Sequence, residues 1–94
     1  MLGLDKLGRI LISEDFRKVH NFDQGEVHIY YSEENGRFYI LPKRDETKYW
    51  LSSRPLEENG RFSLPKDILK VYNTKNVLLL QKEGILYVVP FKEE

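Results

Sequence analysis

The chain has 94 residues, with 15 Lys and Arg balanced by 15 Asp and Glu and no cysteine. That length allows one domain, or two halves sharing a core, with a stability of roughly 5–14 kcal/mol. The absence of cysteine excludes disulfides and thiolate zinc sites, and zero net charge counts against a simple polybasic nucleic-acid binder. No apolar run approaches the roughly 20 residues needed to span a bilayer, and the N-terminus lacks a signal-peptide pattern. A cytoplasmic location without membrane contact is the expectation.

In chain order, residues 1–5 read as a short strand and Lys6-Leu7-Gly8 as a turn, with Gly8 free to take a positive φ. Arg9 to Ile12 is a second short strand. Ser13 is placed to cap a helix over residues 14–20, with Glu14 and Asp15 in its first turn, where acidic groups suit the helix dipole. Phe16 and Val19 are expected to share its buried face. Residues 26–32 alternate as a half-buried strand, with Val27, Ile29 and Tyr31 on one side and His28 and Tyr30 on the other. Glu33 to Gly36 forms a hairpin turn, and residues 37–41 return as a strand that Pro42 stops. Residues 44–48 form a polar linker. Residues 49–56 are a strand marked as an edge by Pro55.

From Leu56 onward the chain repeats itself. Leu4, Gly8-Arg9, Asp15, Lys18-Val19 and Asn21 recur as Leu56, Gly60-Arg61, Asp67, Lys70-Val71 and Asn73, each 52 residues later. An internal repeat of this kind decides the architecture. The second copy predicts a helix over residues 66–72 with Pro65 at its first position and Ile68 and Val71 on its buried face. It also predicts a hairpin of residues 77–82 and 85–89, turning at Lys82-Glu83-Gly84 and stopped by Pro90. The repeats occupy residues 1–43 and 49–91. Each copy has fewer than 50 residues, near the lower limit for independent folding, so the halves are expected to fold together.

Asp5-Lys6-Leu7-Gly8-Arg9 and Glu57-Glu58-Asn59-Gly60-Arg61 are each followed by apolar residues, a Ser or Pro, a short helix with a basic end and a β-hairpin. This doubled pattern resembles the SpoVT/AbrB-like swapped-hairpin family, and within it the tandem MraZ-like branch. The resemblance implies a mainly β protein with two short helices, built as a pseudo-twofold, tandem swapped-hairpin β-barrel. It also implies a small transcriptional regulator that binds double-stranded DNA, nucleoid-associated for that reason, through its two loop–helix motifs. Carried over by position, the DNA-binding residues are Arg9, Arg17 and Lys18 in the first copy and Arg61 and Lys70 in the second, with Lys66 at a helix start. Leu69 stands where the first copy has Arg17, and Ser13 where the family usually has Pro.

The residues themselves give a parallel reading. The repeated motif is locally basic, with net charge +2 over residues 6–18 and +1 over residues 58–70. Arginine suits phosphates and guanine edges because its planar fork donates in pairs. The alternative for Arg9 and Arg61 is structural: Asp5 and Glu57 lie four residues upstream across a tight turn, where each can brace its arginine. For Arg17, Lys18 and Lys70 the alternative is a solvated helix face. Tyr30, Tyr39, Tyr49 and Trp50 could offer stacking platforms to single strands, but a small β core needs large side chains, and packing is the reading taken. His20 and His28 are the only histidines and lack clustered partners, so no metal is expected. No nucleotide-binding or nucleophile motif occurs, so neither enzyme activity, cofactor nor small-molecule substrate is expected. Leu78 and Leu80 replace His28 and Tyr30 in the second hairpin. They mark a possible interface with a second copy or another protein. A protein-interaction module or an antitoxin on the same barrel, with little DNA binding, is the rival function.

Overall fold

The structure is a computed structural model that describes residues 4–23 and 25–91. The described elements run β1 (Arg9–Leu11), α1 (Glu14–Val19), β2 (Glu26–Ser32), β3 (Arg37–Leu41), β4 (Trp50–Pro55), β5 (Arg61–Ser63), α2 (Lys66–Tyr72), β6 (Val77–Lys82) and β7 (Ile85–Pro90). The protein is thus mainly β with two short helices, as the sequence predicts. Most of the strand expected over residues 1–5 lies outside the described residues; Leu4 and Asp5 are not in a strand.

The strands form two antiparallel sheets. One is the pair β1–β5; the other has five strands in the order β4-β2-β3-β7-β6. Both are centred on repeat-equivalent residues, Ile10 and Phe62 at the offset of 52, and Tyr39 and Tyr87 because Gly36-Arg37-Phe38-Tyr39 of the first hairpin aligns with Gly84-Ile85-Leu86-Tyr87 of the second. In the small sheet Ile10 pairs with Phe62. In the large sheet the two copies meet between β3 and β7, where Tyr39 pairs with Tyr87. These matched pairs place a pseudo-twofold relation through the middle of both sheets. The turns obey it too: the Ile12 N–H donates to the Gly60 carbonyl at 2.9 Å, and the Leu64 N–H to the Gly8 carbonyl at 3.0 Å. Neither copy folds on itself, because β1 completes its pairing with β5 and β4 completes the first hairpin by pairing with β2.

A single apolar core lies between the layers. The inner face of the large sheet supplies Val27, Ile29, Phe38, Ile40, Val77, Leu86 and Val88. Ile10 and Phe62 from the small sheet, Ile12 and Leu64 after it, and Phe16 and Ile68 from the helices cover that face. The expected barrel is not closed. Among the described residues no ladder joins β1 or β5 to either edge of the large sheet. β1 and β5 pair only with each other among the described strands, and the core is enclosed by stacking of layers rather than by continuous hydrogen bonding.

Both helices begin and end as their sequences dictate, with two corrections. Ser13 caps α1, its Oγ accepting from the Phe16 N–H at 3.3 Å. Pro65 precedes α2 as its cap residue rather than occupying the first helical position. Asn21 and Asn73 follow the helices with φ of 63° and 53°, a left-handed conformation that Asn tolerates better than most side chains. The predicted buried pairs at spacing three are wrong in their second members: Val19 and Val71 are 70% and 61% exposed. The inward stripe runs at spacing four instead, Phe16 with His20 and Ile68 with Tyr72. The His20 ring lies 4.3 Å from that of Phe16. Tyr72 packs edge-on against Phe38 and reaches into the β3–β7 seam. Its hydroxyl accepts from the Phe38 N–H at 2.9 Å and donates to the Val88 carbonyl. Phe38 and Val88 are partners in the ladder, so this one hydroxyl ties α2 to both central strands.

The outer face of the large sheet carries one cross-strand row, Trp50-Tyr30-Tyr39-Tyr87-Leu80. Tyr30 is nevertheless fully buried, because the linker folds over it. The Asp45 N–H donates to the Tyr30 hydroxyl at 2.6 Å, and the Arg44 guanidinium lies 3.9 Å from the Trp50 ring centre. The residues between the repeats are thus part of the packing.

Replacing Tyr72 by Phe removes a hydroxyl with two backbone partners. The expected loss in urea unfolding is about 1–3 kcal/mol. Val71→Ala on the exposed face of the same helix should change stability by no more than about 0.5 kcal/mol.

Candidate nucleic-acid interface

Because Ile10 and Phe62 point into the core, their neighbours on β1 and β5 point out. Arg9 stands opposite Ser63, and Arg61 opposite Leu11, so the two arginines share the outer face diagonally across the pseudo-twofold centre. The turn of each copy lies beside the helix of the other. Glu58 and Asn59 border a cleft with α1, and residues 5–8 border a cleft with the start of α2. The order across this face is α1, turn, β1–β5, turn, α2.

The two arginines are not equally available. Arg9 Nε donates to Asp5 Oδ2 at 2.8 Å, and its Nη1 donates to Glu57 at 3.1 and 3.3 Å. The same Asp5 accepts the Leu7 and Arg9 N–H groups through Oδ1, both at 2.9 Å. Those backbone donors, the Arg9 N–H foremost, hold the Asp5 carboxyl below its ordinary range even against the opposing effect of its partial burial. A lowered folded-state pKa means that the stabilisation is present above the unfolded value and is lost as pH falls below it. Arg61 has a looser arrangement, its Nε lying 4.0 Å from Asp5 Oδ2. In its turn Asn59 takes over the backbone acceptor role, receiving the Arg61 N–H at 3.0 Å. Both readings of the arginines therefore have a place: Arg9 is braced by carboxylates, and Arg61 is the freer guanidinium.

The helix residues divide in the same way. Lys18 is exposed and pairs with Glu14 at 3.0 Å, an arrangement one turn apart that gives up its partner at little cost. Lys70 is exposed at the equivalent place on α2, and Lys66 is exposed at its start. Arg17 points inward between the copies. Its Nε donates to the Ile12 carbonyl at 3.0 Å and its Nη1 reaches the Glu58 carbonyl at 3.5 Å. It lies against Gly60, where φ is +88° and an added Cβ would come within 2.8 Å of the guanidinium and 2.7 Å of the Ile12 oxygen. At the equivalent place Leu69 replaces Arg17, and Gly8 has nothing within 4 Å of its Cβ position. Arg17 thus joins α1 to the opposite turn.

The clefts are also electrically unequal, in the sense opposite to the replacement of Arg17 by Leu69. The one beside α1 holds Arg17 and Lys18 against Glu14, Asp23 and Glu58. The one beside α2 holds Lys6, Arg54, Lys66 and Lys75 against Asp5 and Asp67. Sequence reading counts Lys6 within the basic first motif but misses Arg54 and Lys75 as its neighbours, since they come from separated segments and form no local motif. Of the other residues weighed in the sequence, His28 Nδ1 lies 2.6 Å from Ser53 Oγ on the large sheet. His20 packs tilted against Phe16, and no group of three or more His, Asp or Glu that could hold a metal occurs among the described residues. Tyr49 is exposed and Trp50 partly so, whereas Tyr30 and Tyr39 are buried. No described helix is long and apolar enough to cross a membrane. Compared with known families and curated proteins, the sequence matches no family model and no curated protein.

Ala at Gly60 and at Gly8 should separate the two turns. Both substitutions meet an unfavourable positive φ, costing about 1–2 kcal/mol. Gly60→Ala should lose more in denaturant unfolding, because the Ile12 carbonyl blocks its methyl group, and combining it with Arg17→Ala should recover only part of the excess.

Proposed function

We propose that this protein is a small duplex-DNA-binding regulator of the AbrB/MraZ type, a tandem swapped-hairpin protein whose two copies lie within one chain. The observation that carries the reading is the twofold placement of basic groups. Arg61 and Arg9 lie diagonally on one outer face, and Lys18 and Lys70 lie at equivalent positions on the flanking helices. A twofold protein can present equal groups to equal backbone positions of a duplex. Interleaving of the copies, with β4 on the first hairpin and β1 on β5, supports the swapped-hairpin assignment.

In this reading Arg61, Lys18 and Lys70 contact phosphates directly, with Lys6 and Lys66 extending the contact over the more basic cleft. Arg9 is held in place by Asp5 and Glu57, and Arg17 acts through the position of α1. Binding needs no cofactor and no chemical step. One observation favours the rival, a protein-interaction module on the same scaffold: Asp5 and Glu57 sit on the same face and neutralise Arg9.

Fluorescence anisotropy with a mixed-sequence duplex, titrated at several salt concentrations, tests the proposal. Four or five phosphate contacts predict a log–log slope of about −4, at roughly −0.9 per phosphate. Arg61→Ala/Lys70→Ala, with folding checked by circular dichroism, should weaken binding and make the slope shallower by about 2. A slope near zero, or unchanged binding by the folded double variant, would overturn it and favour the protein-interaction reading.

A further inference from the structure

The clefts beside the two helices occupy equivalent places in the two copies, yet their charges are inverted. The cleft beside α2 has a volume of about 830 Å³ and takes Lys6, Arg54, Lys66 and Lys75 from four separate segments. At the repeat offset of 52, Glu58 stands where Lys6 does, Glu14 where Lys66 does and Leu2 where Arg54 does. Glu14 and Glu58 line the cleft beside α1, with Asp23 as its third acid. The same backbone bonds hold the turns of both copies, so the fold does not require four cations on one side. The sequence has gathered them at one of two equivalent places.

These cations also lack anions. Among the described residues none of the four forms an ion pair. Two carboxylates border the cleft, those of Asp5 and Asp67. Asp5 is already engaged: Oδ1 receives two backbone N–H groups, and Oδ2 receives the Arg9 Nε at 2.8 Å. Asp67, exposed in the first turn of α2, is left to answer all four positive charges. Arg54 is the most constrained of them. It stands opposite Val27 in the β2–β4 ladder, and cross-strand partners share a face of the sheet. Arg54 therefore lies on the side of a fully buried residue. Its Nε is itself buried and meets no acceptor. A buried donor without an acceptor is destabilising, and a charged one more so, unless an anion completes the site.

We propose that the cleft beside α2 is a phosphate-binding site, with room and charge for a ligand of two phosphoryl groups. The guanidinium fork of Arg54 donates in pairs to tetrahedral oxyanions, and Lys6, Lys66 and Lys75 add three compact point charges around it. A single carboxylate would neutralise only one of these cations, whereas a diphosphate matches both the excess charge and the space. The phosphate comes either from a nucleic-acid backbone or from a free phosphorylated small molecule. The site rests on these residues and stands apart from the DNA-binding reading.

Isothermal titration calorimetry with inorganic pyrophosphate, without DNA or divalent metal and at fixed ionic strength, tests it. The expected result is saturable binding of one pyrophosphate per chain. Arg54→Gln should weaken it by about tenfold or more, through loss of a charge-assisted pair. Lys6→Glu/Lys66→Glu gives two exposed positions the residues of the other copy and should abolish it. Lys48→Gln in the linker should leave it unchanged, and circular dichroism checks that each variant is folded. Glu93→Gln/Glu94→Gln, which removes the only side-chain carboxylates outside the described residues, is titrated beside the wild type. Absence of saturable binding in both would overturn the proposal. So would an affinity indifferent to Arg54→Gln and to Lys6→Glu/Lys66→Glu. A labelled duplex then separates the sources. Its displacement by pyrophosphate assigns the site to nucleic-acid phosphate. A duplex that stays bound beside pyrophosphate, or never binds, assigns it to a free phosphorylated molecule.

Discussion

The structure depends on a pairing constraint between the copies: the central residue of each sheet seam faces its own repeat equivalent. Ile10 meets Phe62 in the small sheet, and Tyr39 meets Tyr87 in the large one. A 94-residue chain buries only roughly two-thirds of its unfolded surface, and half of it would bury less. Joined through these seams, the two halves enclose one core that neither could form alone. The same relation sets the functional geometry. It fixes the small sheet with its apolar side inward and brings each turn beside the helix of the opposite copy.

Departures from the relation are where the molecule becomes specific. Arg17 and Leu69 occupy equivalent places, yet one ties a helix to a turn through backbone carbonyls and the other leaves the turn open. The exchange leaves this guanidinium on the α1 side only and makes Gly60 sterically unlike Gly8; the α2 side is the more basic because Lys6, Arg54, Lys66 and Lys75 gather there. The hairpin edges diverge in the same manner. The first is covered by a strand with a polar free edge; among the described residues the second has no strand on its outer side. Two copies related by symmetry but edited separately give one chain a duplicated charged face flanked by two unlike clefts.

Much of the fold was legible because its signals are local. The hairpins, both helices and the Ser13 cap follow from periodicity and turn residues, and the repeat predicts that the halves share a core. What was misread depends on tertiary contact. Val19 and Val71 look like buried helix residues, but helices of two turns offer only a narrow face, and the ring residues His20 and Tyr72 fill it instead. Tyr30 alternates as a solvent-facing residue, yet the linker buries it through a hydrogen bond from the Asp45 backbone. The barrel stays open because β1 and β5 pair with each other and not with the edges of the large sheet, a pairing choice that no local signal announces. In the candidate interface, the repeated motif marks Arg61, Lys18 and Lys70, which the fold leaves at least partly exposed. Arg17, weighed as a DNA contact or a solvated helix residue, turns against the Ile12 and Glu58 carbonyls, and Leu69 at the matching position signals that this contact is not shared by the two copies. Lys6 and Lys75 were invisible as partners because only the folded chain brings them together.

The most direct test of the account is a map of the bound duplex on the protein. Amide chemical shifts would be followed in a two-dimensional heteronuclear NMR titration with a short DNA duplex. The account predicts perturbations clustered on both turns, on β1 and β5, and on the exposed sides of α1 and α2, with Arg61 among the largest and the outer face of the large sheet unchanged. Perturbations confined to β4, the linker or the second hairpin, or none at low salt, would contradict it.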